Sequence, residues 1–321
     1  MLCITKIMST PIEVSVIIPV RNSEKYLSAC LFSALSQDFD LPYEVIVINN
    51  GSSDGSRDII GEFARKHANL RHIETEGLSV GYARQRGVFE AVGKYICFLD
   101  SDDMYKLSFI KRMHEAITKA NADIVNCSYM QIKPSGRICP NLLARKKVYD
   151  NIGGVEALLK DFNIRGYMPM KMYRAALIKG IKLPISSKLI MFEDFLINFA
   201  LYAKAEKTIA ITNALYFYRR TNESTTATLA HNRTELHLKC FAAVRYLAER
   251  SDNPEVIKAF FHRSFRYWLS VFVDVSLSPS ANAGPFFAKL HRAEKLKRII
   301  MSPKPMPIVG MPWGDLIEEI K

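Results

Sequence analysis

The stretch Tyr95-Ile-Cys-Phe-Leu-Asp-Ser-Asp-Asp103 joins five apolar residues directly to a group of three aspartates. A short apolar run that ends abruptly at polar residues is typical of a strand buried on both faces of a parallel sheet. Like charges packed together cost free energy unless a cation or hydrogen bonds offset them. The stretch therefore predicts a central strand of an α/β sheet with a carboxylate-lined site at its carboxyl end.

The residues before this stretch repeat an alternation of strand and helix. Val14–Val20 and Glu44–Ile48 are rich in β-branched residues, and each is followed by apolar residues at helical spacing. Leu70–Ile73 and a helix near Tyr82–Ala91 continue the pattern. Strands separated by helices of roughly 10–15 residues predict a Rossmann-like half, with a mainly parallel sheet covered on both faces.

Polar residues follow three of these predicted strands. They are Asn22, Asn49, Asn50, Asp54 and Asp100 to Asp103. Ligands of open α/β sheets bind beyond the carboxyl ends of the strands, so these residues are candidates for a binding site. The alternative is that turns favour Asn, Asp, Gly and Ser for their backbone geometry, and this alternative is weakest for the acidic cluster. Asn22 or Ser23 is expected to cap the first helix.

The chain after the acidic cluster becomes less regular. A helix is expected over Ser108–Lys119 and a strand over Ala122–Ile132. Residues 133–147 carry five basic residues and no acid, which predicts a basic loop, either solvated or facing an anion as a lid. From Val155 the pattern is mainly helical, with a hairpin-like segment at Ala214–Tyr218.

Composition excludes several classes of protein. The chain has 321 residues, of which 49% are hydrophobic, so disordered and collagen-like chains are excluded. The net charge of +12 calls for a polyanionic partner: nucleic acid, an anionic membrane or a phosphate-bearing substrate. Six scattered cysteines favour reduced thiols. The first ten residues do not read as a signal peptide and no run is long enough to span a membrane, which predicts a soluble or peripheral protein.

The aspartate cluster suggests the chemistry of the site. Carboxylate oxygens are the ligands that Mg²⁺ and Mn²⁺ prefer, and such ions commonly keep coordination positions for substrate phosphates. The sequence has neither the Walker loop nor the dinucleotide fingerprint. A metal and the strand ends are therefore expected to hold a nucleotide diphosphate. Solvated aspartates in a turn are the alternative.

Two further groups of charged residues are candidates for catalysis and binding. Glu193 and Asp194 interrupt an apolar run, where a carboxylate with a raised pKa suits the removal of a proton from a hydroxyl. The alternative is an acidic helix start favoured by the helix dipole. Arg219 and Arg220 follow an aromatic strand and suit the clamping of a leaving diphosphate, although a basic surface turn has the same pattern.

Taken together, these segments resemble the family 2 glycosyltransferases, bacterial enzymes of the GT-A type. The matching segments follow one another in the family's order over about residues 13–226: V-S-V-I-I-P-V-R-N, V-I-V-I-N-N-G-S-S-D-G-S, Tyr82–Gly87, Gly93–Asp103, Lys171–Arg174, Glu193-Asp194 and Tyr218–Ser224. The resemblance implies a GT-A nucleotide-sugar-binding domain with a helix-rich C-terminal extension. It implies inverting transfer of a sugar from a nucleotide diphosphate sugar to a hydroxyl of a glycan or lipid-linked acceptor, in surface polysaccharide or lipopolysaccharide synthesis.

The resemblance also implies roles for individual residues. Those expected to bind the nucleotide sugar are Pro19, Val20, Asn22, Asn50, Asp54, Arg84, Asp100, Ser101, Asp102, Arg219 and Ser224. Asp102 and Asp103 would hold Mn²⁺ or Mg²⁺, Asp194 would be the general base and Glu193 would support it or bind the acceptor. Many relatives have an aromatic residue at the position of Arg21 and an aspartate at that of Asn50. These two departures bear on the choice of nucleotide rather than on the activity; a UDP-sugar remains the leading donor, with dTDP and GDP open.

The expected organisation has three parts. Residues 1–132 form the nucleotide-sugar half, residues 133–233 the acceptor half with the base, and residues 234–321 a helical extension. An apolar stripe from Val256 to Phe272 is expected to pack on the core, and the basic segment Lys289–Arg298 could lie on anionic lipid. This predicts a cytoplasmic protein at the inner face of the plasma membrane, with no nucleic-acid partner. The alternatives are a nucleotidyltransferase acting on sugar phosphates and a nucleic-acid-binding protein.

Overall fold

The computed structural model describes residues 11–77, 79–142, 145–160, 164, 166–187, 192–221, 233–263, 295, 298–302, 304, 311 and 314–321. The strands are β1 Val14–Val20, β2 Tyr43–Asn50, β3 Leu70–Thr75, β4 Tyr95–Phe98, β5 Met104–Tyr105, β6 Ile124–Ile132, β7 Ile138–Asn141, β8 Lys147–Asp150, β9 Lys171–Arg174 and β10 Lys207–Arg219. The helices are α1 Glu24–Leu35, α2 Ser56–Lys66, α3 Val80–Glu90, α4 Phe109–Ala120, α5 Asn151–Lys160, α6 Ala175–Lys179, α7 Glu193–Lys204, α8 Arg233–Glu249, α9 Pro254–Arg263 and α10 Gly314–Ile320.

The ten strands form a single mixed sheet. Its order is β3-β2-β1-β4-β9-β6-β10-β5, with β7 paired to β6 and β8 paired to β10. Strands β1 to β4 are mutually parallel where they pair, so their carboxyl ends lie at one edge. Alternate residues of β1 enter separate apolar clusters, because Ile17 packs on one face while Val16 and Ile18 pack on the other. The predicted α/β sheet, covered on both faces, is confirmed.

Strand β9 corrects the expectation that the chain is mainly helical from Val155. It lies antiparallel between β4 and β6, with Met172 opposite both Cys97 and Val125. Four residues are too few to show a periodicity, and this strand exists because its two neighbours offer unpaired backbone groups on either side.

Strand β10 corrects the expected hairpin at Ala214–Tyr218. It is one strand of 13 residues that runs parallel to β6. The exposed pair Thr212 and Asn213 gave the appearance of a turn. The pairing shifts register at this point, between Ala210 and Ala214, so an irregularity within the strand absorbs the polar residues.

The basic segment 133–147 is also more ordered than a loop. After a turn at Gly136, which has a φ of +78°, the chain forms β7 antiparallel to β6. Strand β8 then begins at Lys147 and pairs with β10. The prediction of a loop is therefore wrong for residues 138–141 and 147, since pairing with a neighbouring strand overrides the polar composition.

The C-terminal region is helical, as expected, where the structure describes it. Val256 and Phe260 of the predicted apolar stripe are fully buried in the core, whereas Phe265, Trp268, Leu269 and Phe272 lie outside the described residues. In the basic segment only Lys295 and Arg298 are described, and both are exposed. No helix in the described ranges is both long and apolar enough to cross a membrane. The division at residues 132 and 233 stays a prediction, and the sheet itself continues across residue 132.

Candidate active site

Arg84 reaches the carboxyl edge of the sheet from α3. That helix lies against β1 where Gly87 faces Ile17, and a Cβ built on Gly87 would be only 2.3 Å from Ile17 Cγ2. No larger residue fits this approach without displacing the strand or the helix. Gly87 thus allows α3 to lie close to β1. Arg84, one turn earlier on α3, is buried as a result, with only 4% of its side chain exposed.

Arg84 joins the two acidic sites that lie far apart in sequence. Its Nη2 donates to Asp100 Oδ1 at 2.9 Å, while its Nη1 donates to Asp194 Oδ1 and lies 3.5 Å from Glu193 Oε1. Burial alone would lower the pKa of Arg84, but the charges of Asp194, Asp100 and Glu193 raise it. The guanidinium therefore stays charged at the centre of three carboxylates.

The Glu193–Asp194 pair forms the first turn of α7. Burial is the largest effect on both and raises the pKa of each carboxyl; the charge of Asp194 adds to the effect on Glu193, whose pKa reaches about 7. The charge of Arg84 and a 2.9 Å hydrogen bond from the Met168 amide to Asp194 Oδ2 oppose the rise at Asp194. A raised carboxyl pKa favours the acceptance of a proton from a hydroxyl.

The aspartates after β4 occupy two different environments. Asp102 is partly buried, and burial followed by the charge of Asp100 raises its pKa to about 6. Asp103 is only 1% exposed, and burial raises its pKa well above the usual range. Its two oxygens accept hydrogen bonds from the Tyr216 hydroxyl and the Arg219 amide, each at 2.6 Å. Asp103 therefore ties the acidic turn to the end of β10.

Arg219 ends β10 beside the acidic turn. Its Nε donates to the carbonyl oxygen of Asp102 at 3.0 Å, and its guanidinium lies 4.8 Å from the centre of the Tyr26 ring. This places a cation next to the aspartates, and its expected role over the diphosphate stays a prediction. Ser224 lies outside the described residues.

The loops after β1 and β2 hold each other at the same edge. Asn22, with a φ of +50°, accepts a hydrogen bond from the Ser53 amide at 2.8 Å. Asp54 accepts from the amides of Ser56 and Glu24, both at 3.0 Å, and so caps both α2 and α1. The expected cap by Asn22 or Ser23 is therefore wrong, since α1 takes its cap from a loop distant in sequence.

The remaining predicted ligands line the strand ends. Pro19 and Val20 are buried at the end of β1, and Ser101 shares a 2.6 Å hydrogen bond with Ser23. Asn50 ends β2, where its side-chain oxygen accepts a hydrogen bond from the Thr75 hydroxyl at 3.0 Å. The structure thus brings the described candidates to one edge of the sheet, and their roles as ligands stay predictions.

Lys171 and Tyr26 also lie at the site, and neither was among the residues predicted to act there. Lys171 opens β9, is 1% exposed and donates from Nζ to the Tyr167 carbonyl at 2.5 Å. The charge of Lys171 also opposes the rise in the pKa of Asp194. A lysine directly before Met172 and Tyr173 is the sequence signal for a buried cation, because lysine is rarely buried without a partner. Tyr26 carries no such signal.

The family of the chain is decided by its first half. Residues 15–178, just over half of the chain, match the family model described as "Glycosyl transferase family 2". The chain belongs to glycosyl transferase family 2. All the candidate residues up to Lys171 lie in the matched region, whereas the Glu193–Asp194 pair follows it.

Individual relatives agree with the family. Glycosyltransferase GlyA of Streptococcus pneumoniae serotype 4 is 31% identical over 64% of this chain and 30% of its own length. EpsH of Bacillus subtilis, a putative glycosyltransferase by name, is 30% identical over 66% of this chain and 62% of its own. The chain thus spans less than two thirds of these relatives.

A solved structure agrees with the fold. The crystal structure of Staphylococcus aureus TarS residues 1–349 with UDP-GlcNAc has a TM-score of 0.69 at 22% identity and covers 96% of this chain and 89% of its own. At that identity the likeness concerns the fold alone. It confirms that this family 2 chain has a GT-A fold.

The donor set of this family 2 site suits a divalent cation held in an open site. Within the described residues, no three His, Cys, Asp or Glu side chains are arranged to enclose a metal. Mg²⁺ and Mn²⁺ do not need such an enclosure where one or two carboxylates share the ion with substrate phosphates. Asp102 fits this use, because burial and the charge of Asp100 raise its pKa and a bound cation would offset both effects.

Proposed function

We propose that this chain transfers a sugar from a nucleoside diphosphate sugar to an acceptor hydroxyl with inversion at the anomeric carbon. One observation carries the proposal: Arg84 contacts both Asp100, in the acidic turn, and Asp194, in the pair at the start of α7. A donor held by the turn and an acceptor held by the pair would therefore meet within one cluster. Membership of glycosyl transferase family 2 supports the same chemistry.

The donor would bind along the carboxyl edge of the sheet. Asp100 and Asp102 would contact the ribose and a divalent cation, and Arg84 and Arg219 supply positive charge on either side of the turn. When bound, Mn²⁺ or Mg²⁺ would stabilise the departing diphosphate. A UDP-sugar is the first choice of donor, with dTDP and GDP sugars as alternatives. Asp103 has both oxygens engaged by the protein, which favours a positioning role over metal ligation.

Asp194 would act as the general base. One oxygen is held by Arg84 and the other by the Met168 amide, so the carboxylate has a fixed orientation. The acceptor hydroxyl would lose its proton to this carboxylate as its oxygen attacks the anomeric carbon from the face opposite the diphosphate. Glu193 would hold the acceptor beside it.

The acceptor would be a glycan or lipid-linked molecule of the bacterial surface, with the enzyme in the cytoplasm and peripheral on the inner membrane face. The relatives support a surface glycan, because TarS is named a poly(ribitol-phosphate) beta-N-acetylglucosaminyltransferase. The exposed Lys295 and Arg298 lie within the basic segment expected to meet anionic lipid.

The test gives the enzyme a panel of nucleotide sugars with Mn²⁺ or Mg²⁺ and measures the release of nucleoside diphosphate. Each donor is tried with soluble acceptors and with the same acceptors on anionic vesicles. Asp194→Asn and Asp102→Asn should each lower kcat by roughly 10²-fold or more. Asp58→Asn, at an exposed aspartate of α2, is the control and should match the wild type. Unchanged transfer in both site variants would contradict the proposal. Release of pyrophosphate from a nucleoside triphosphate and a sugar phosphate would instead identify a nucleotidyltransferase.

A further inference from the structure

The residue before the carboxylate pair has an unusual backbone. Phe192 has a φ of +71°, in the left-handed region that a bulky residue rarely adopts. Such a conformation persists where surrounding structure holds it, and it is commonest at functional sites. Because Phe192 directly precedes Glu193, its backbone sets the direction in which the first turn of α7 points its two carboxylates.

Helix α8 packs on both sides of this turn. The Cys240 thiol donates to the carbonyl oxygen of Phe192 at 3.8 Å. The neighbouring Phe241 ring stacks on Phe195, with ring centres 6.2 Å apart. Cys240 and Phe241 are both fully buried. The C-terminal region therefore contacts the residue before the carboxylate pair and the residue after it.

Helix α10 holds Ser186 and Ser187, which follow the residue that packs on α3. The Glu319 carboxylate accepts hydrogen bonds from the Ser187 amide at 2.7 Å, from the Ser187 hydroxyl at 3.0 Å and from the Ser186 hydroxyl. Ile185 of the same segment lies against the start of α3, where a Cβ on Gly81 would be 3.0 Å from Ile185 Cγ2. One carboxylate thus fixes a segment that touches α3, the helix whose Arg84 contacts Asp194.

The two helices belong to one packed unit. Leu316, Ile317 and Ile320 of α10 are buried in the same apolar cluster as Phe241 of α8. Movement at Glu319 is therefore resisted by the packing that also supports Phe192.

We propose that the C-terminal helices position the Glu193–Asp194 pair, with Glu319 as a positioning residue that acts through Ser186 and Ser187. The inference rests on the proposed function in taking Asp194 as the base. It assigns a role to residues that follow the matched family region. Glu319 contacts no proposed reacting group; it fixes Ser186 and Ser187, next to the residue that packs on the helix of Arg84.

The test compares Glu319→Ala with Glu318→Ala in the full chain. Glu318 lies on the same helix but is exposed and pairs with Lys321 at the surface. Glu318→Ala therefore removes one negative charge, as Glu319→Ala does, without removing the hydrogen bonds to Ser186 and Ser187. Hydrogen exchange over residues 192–200 and the steady-state constants kcat and donor KM are measured. In Glu319→Ala, exchange at the start of α7 should be about tenfold faster and kcat about tenfold lower, with donor KM within about twofold of wild type. Glu318→Ala should match the wild type.

The outcomes distinguish a role of Glu319 in positioning the Glu193–Asp194 pair from a contribution to the stability of the fold alone. If Glu319→Ala lowers the melting temperature but leaves both exchange at residues 192–200 and kcat equal to those of Glu318→Ala, the proposal is overturned. If the variant does not fold, Ser187→Ala removes a single hydroxyl donor and should change exchange and kcat in the same direction by a smaller factor; no change would overturn the proposal. Unchanged transfer by Asp194→Asn would reject Asp194 as the base. The hydrogen exchange of residues 192–200 would still test whether Glu319 positions the start of α7.

Discussion

Arg84 differs from the other charged residues of the site because it contacts three carboxylates at once. A guanidinium presents five donors in a rigid fork, so one side chain can serve carboxylates that approach from different directions. Here it contacts Asp100, Glu193 and Asp194, and each of these would otherwise be a poorly compensated charge. Burial and the charge of Asp194 raise the pKa of Glu193 even so.

Glu193 should make the stability of the protein depend on pH. Burial and the charge of Asp194 raise its pKa from an ordinary 4.5 to about 7, so the folded chain holds this proton more tightly than the unfolded chain. Stability contributed by the protonated group is present below about pH 4.5 and is lost as pH rises to about 7. Glu193→Gln abolishes this loss. In thermal melts, the free energy of unfolding of the variant should rise relative to that of the wild type between about pH 5 and pH 8, by up to about 3 kcal/mol.

The control for this prediction is Glu115→Gln, at an exposed glutamate of α4. Its melting temperature should differ from that of the wild type by the same small amount at every pH. A difference between Glu193→Gln and wild type that does not grow with pH would show that Glu193 titrates normally.

At the scale of elements, the site depends on how closely α3 approaches the sheet. Gly87 permits contact with Ile17 of β1, and the helix carries Arg84 to the carboxyl edge as a consequence. The aspartates are placed by a different device, since Asp103 accepts hydrogen bonds from Tyr216 and Arg219 of β10. A helix and a long strand therefore locate the two halves of the charged cluster.

Gly87→Ala should disturb this helix–strand contact. The new methyl group would overlap Ile17, so we expect a loss of about 1–3 kcal/mol in the free energy of unfolding, measured with urea, and weaker donor binding because Arg84 moves. Gly61→Ala in α2 is the matched control, since its nearest contact would be Arg65 at 3.8 Å. It should be neutral or stabilise by up to about 1 kcal/mol. Equal stability of the two variants would show that the α3 approach is not tight.

At the scale of the whole molecule, the C-terminal helices join the core of the sheet domain. Phe241 and Phe260 share an apolar cluster with Ile17, Ile96 and Phe98 of the central strands. Arg245 of α8 is 1% exposed and donates to the carbonyl oxygens of Ile299, Ile300 and Lys304. One buried guanidinium therefore ties Ile299, Ile300 and Lys304 to α8.

Arg245→Met should loosen this attachment. It keeps most of the side-chain volume but leaves three carbonyl groups without their donor, which costs roughly 2–4 kcal/mol in unfolding free energy. Urea unfolding and limited proteolysis of the C-terminal region measure the effect. Arg250→Met, at an exposed arginine near the end of the same helix, is the control and should lose less than about 1 kcal/mol. Equal losses in the two variants would contradict the role given to Arg245.

Local sequence determined the parallel half of the fold and the candidate residues. Apolar runs ending in Asn or Asp, such as Tyr95–Asp103, carry their own signal, because burial on both faces and a polar strand end depend only on neighbouring residues. Strand β9, the continuous β10 and the cap that Asp54 gives α1 came only from the tertiary structure. The same holds for Arg84 meeting Asp194, 110 positions away. Partners distant in sequence leave no periodicity, and only packing brings them together.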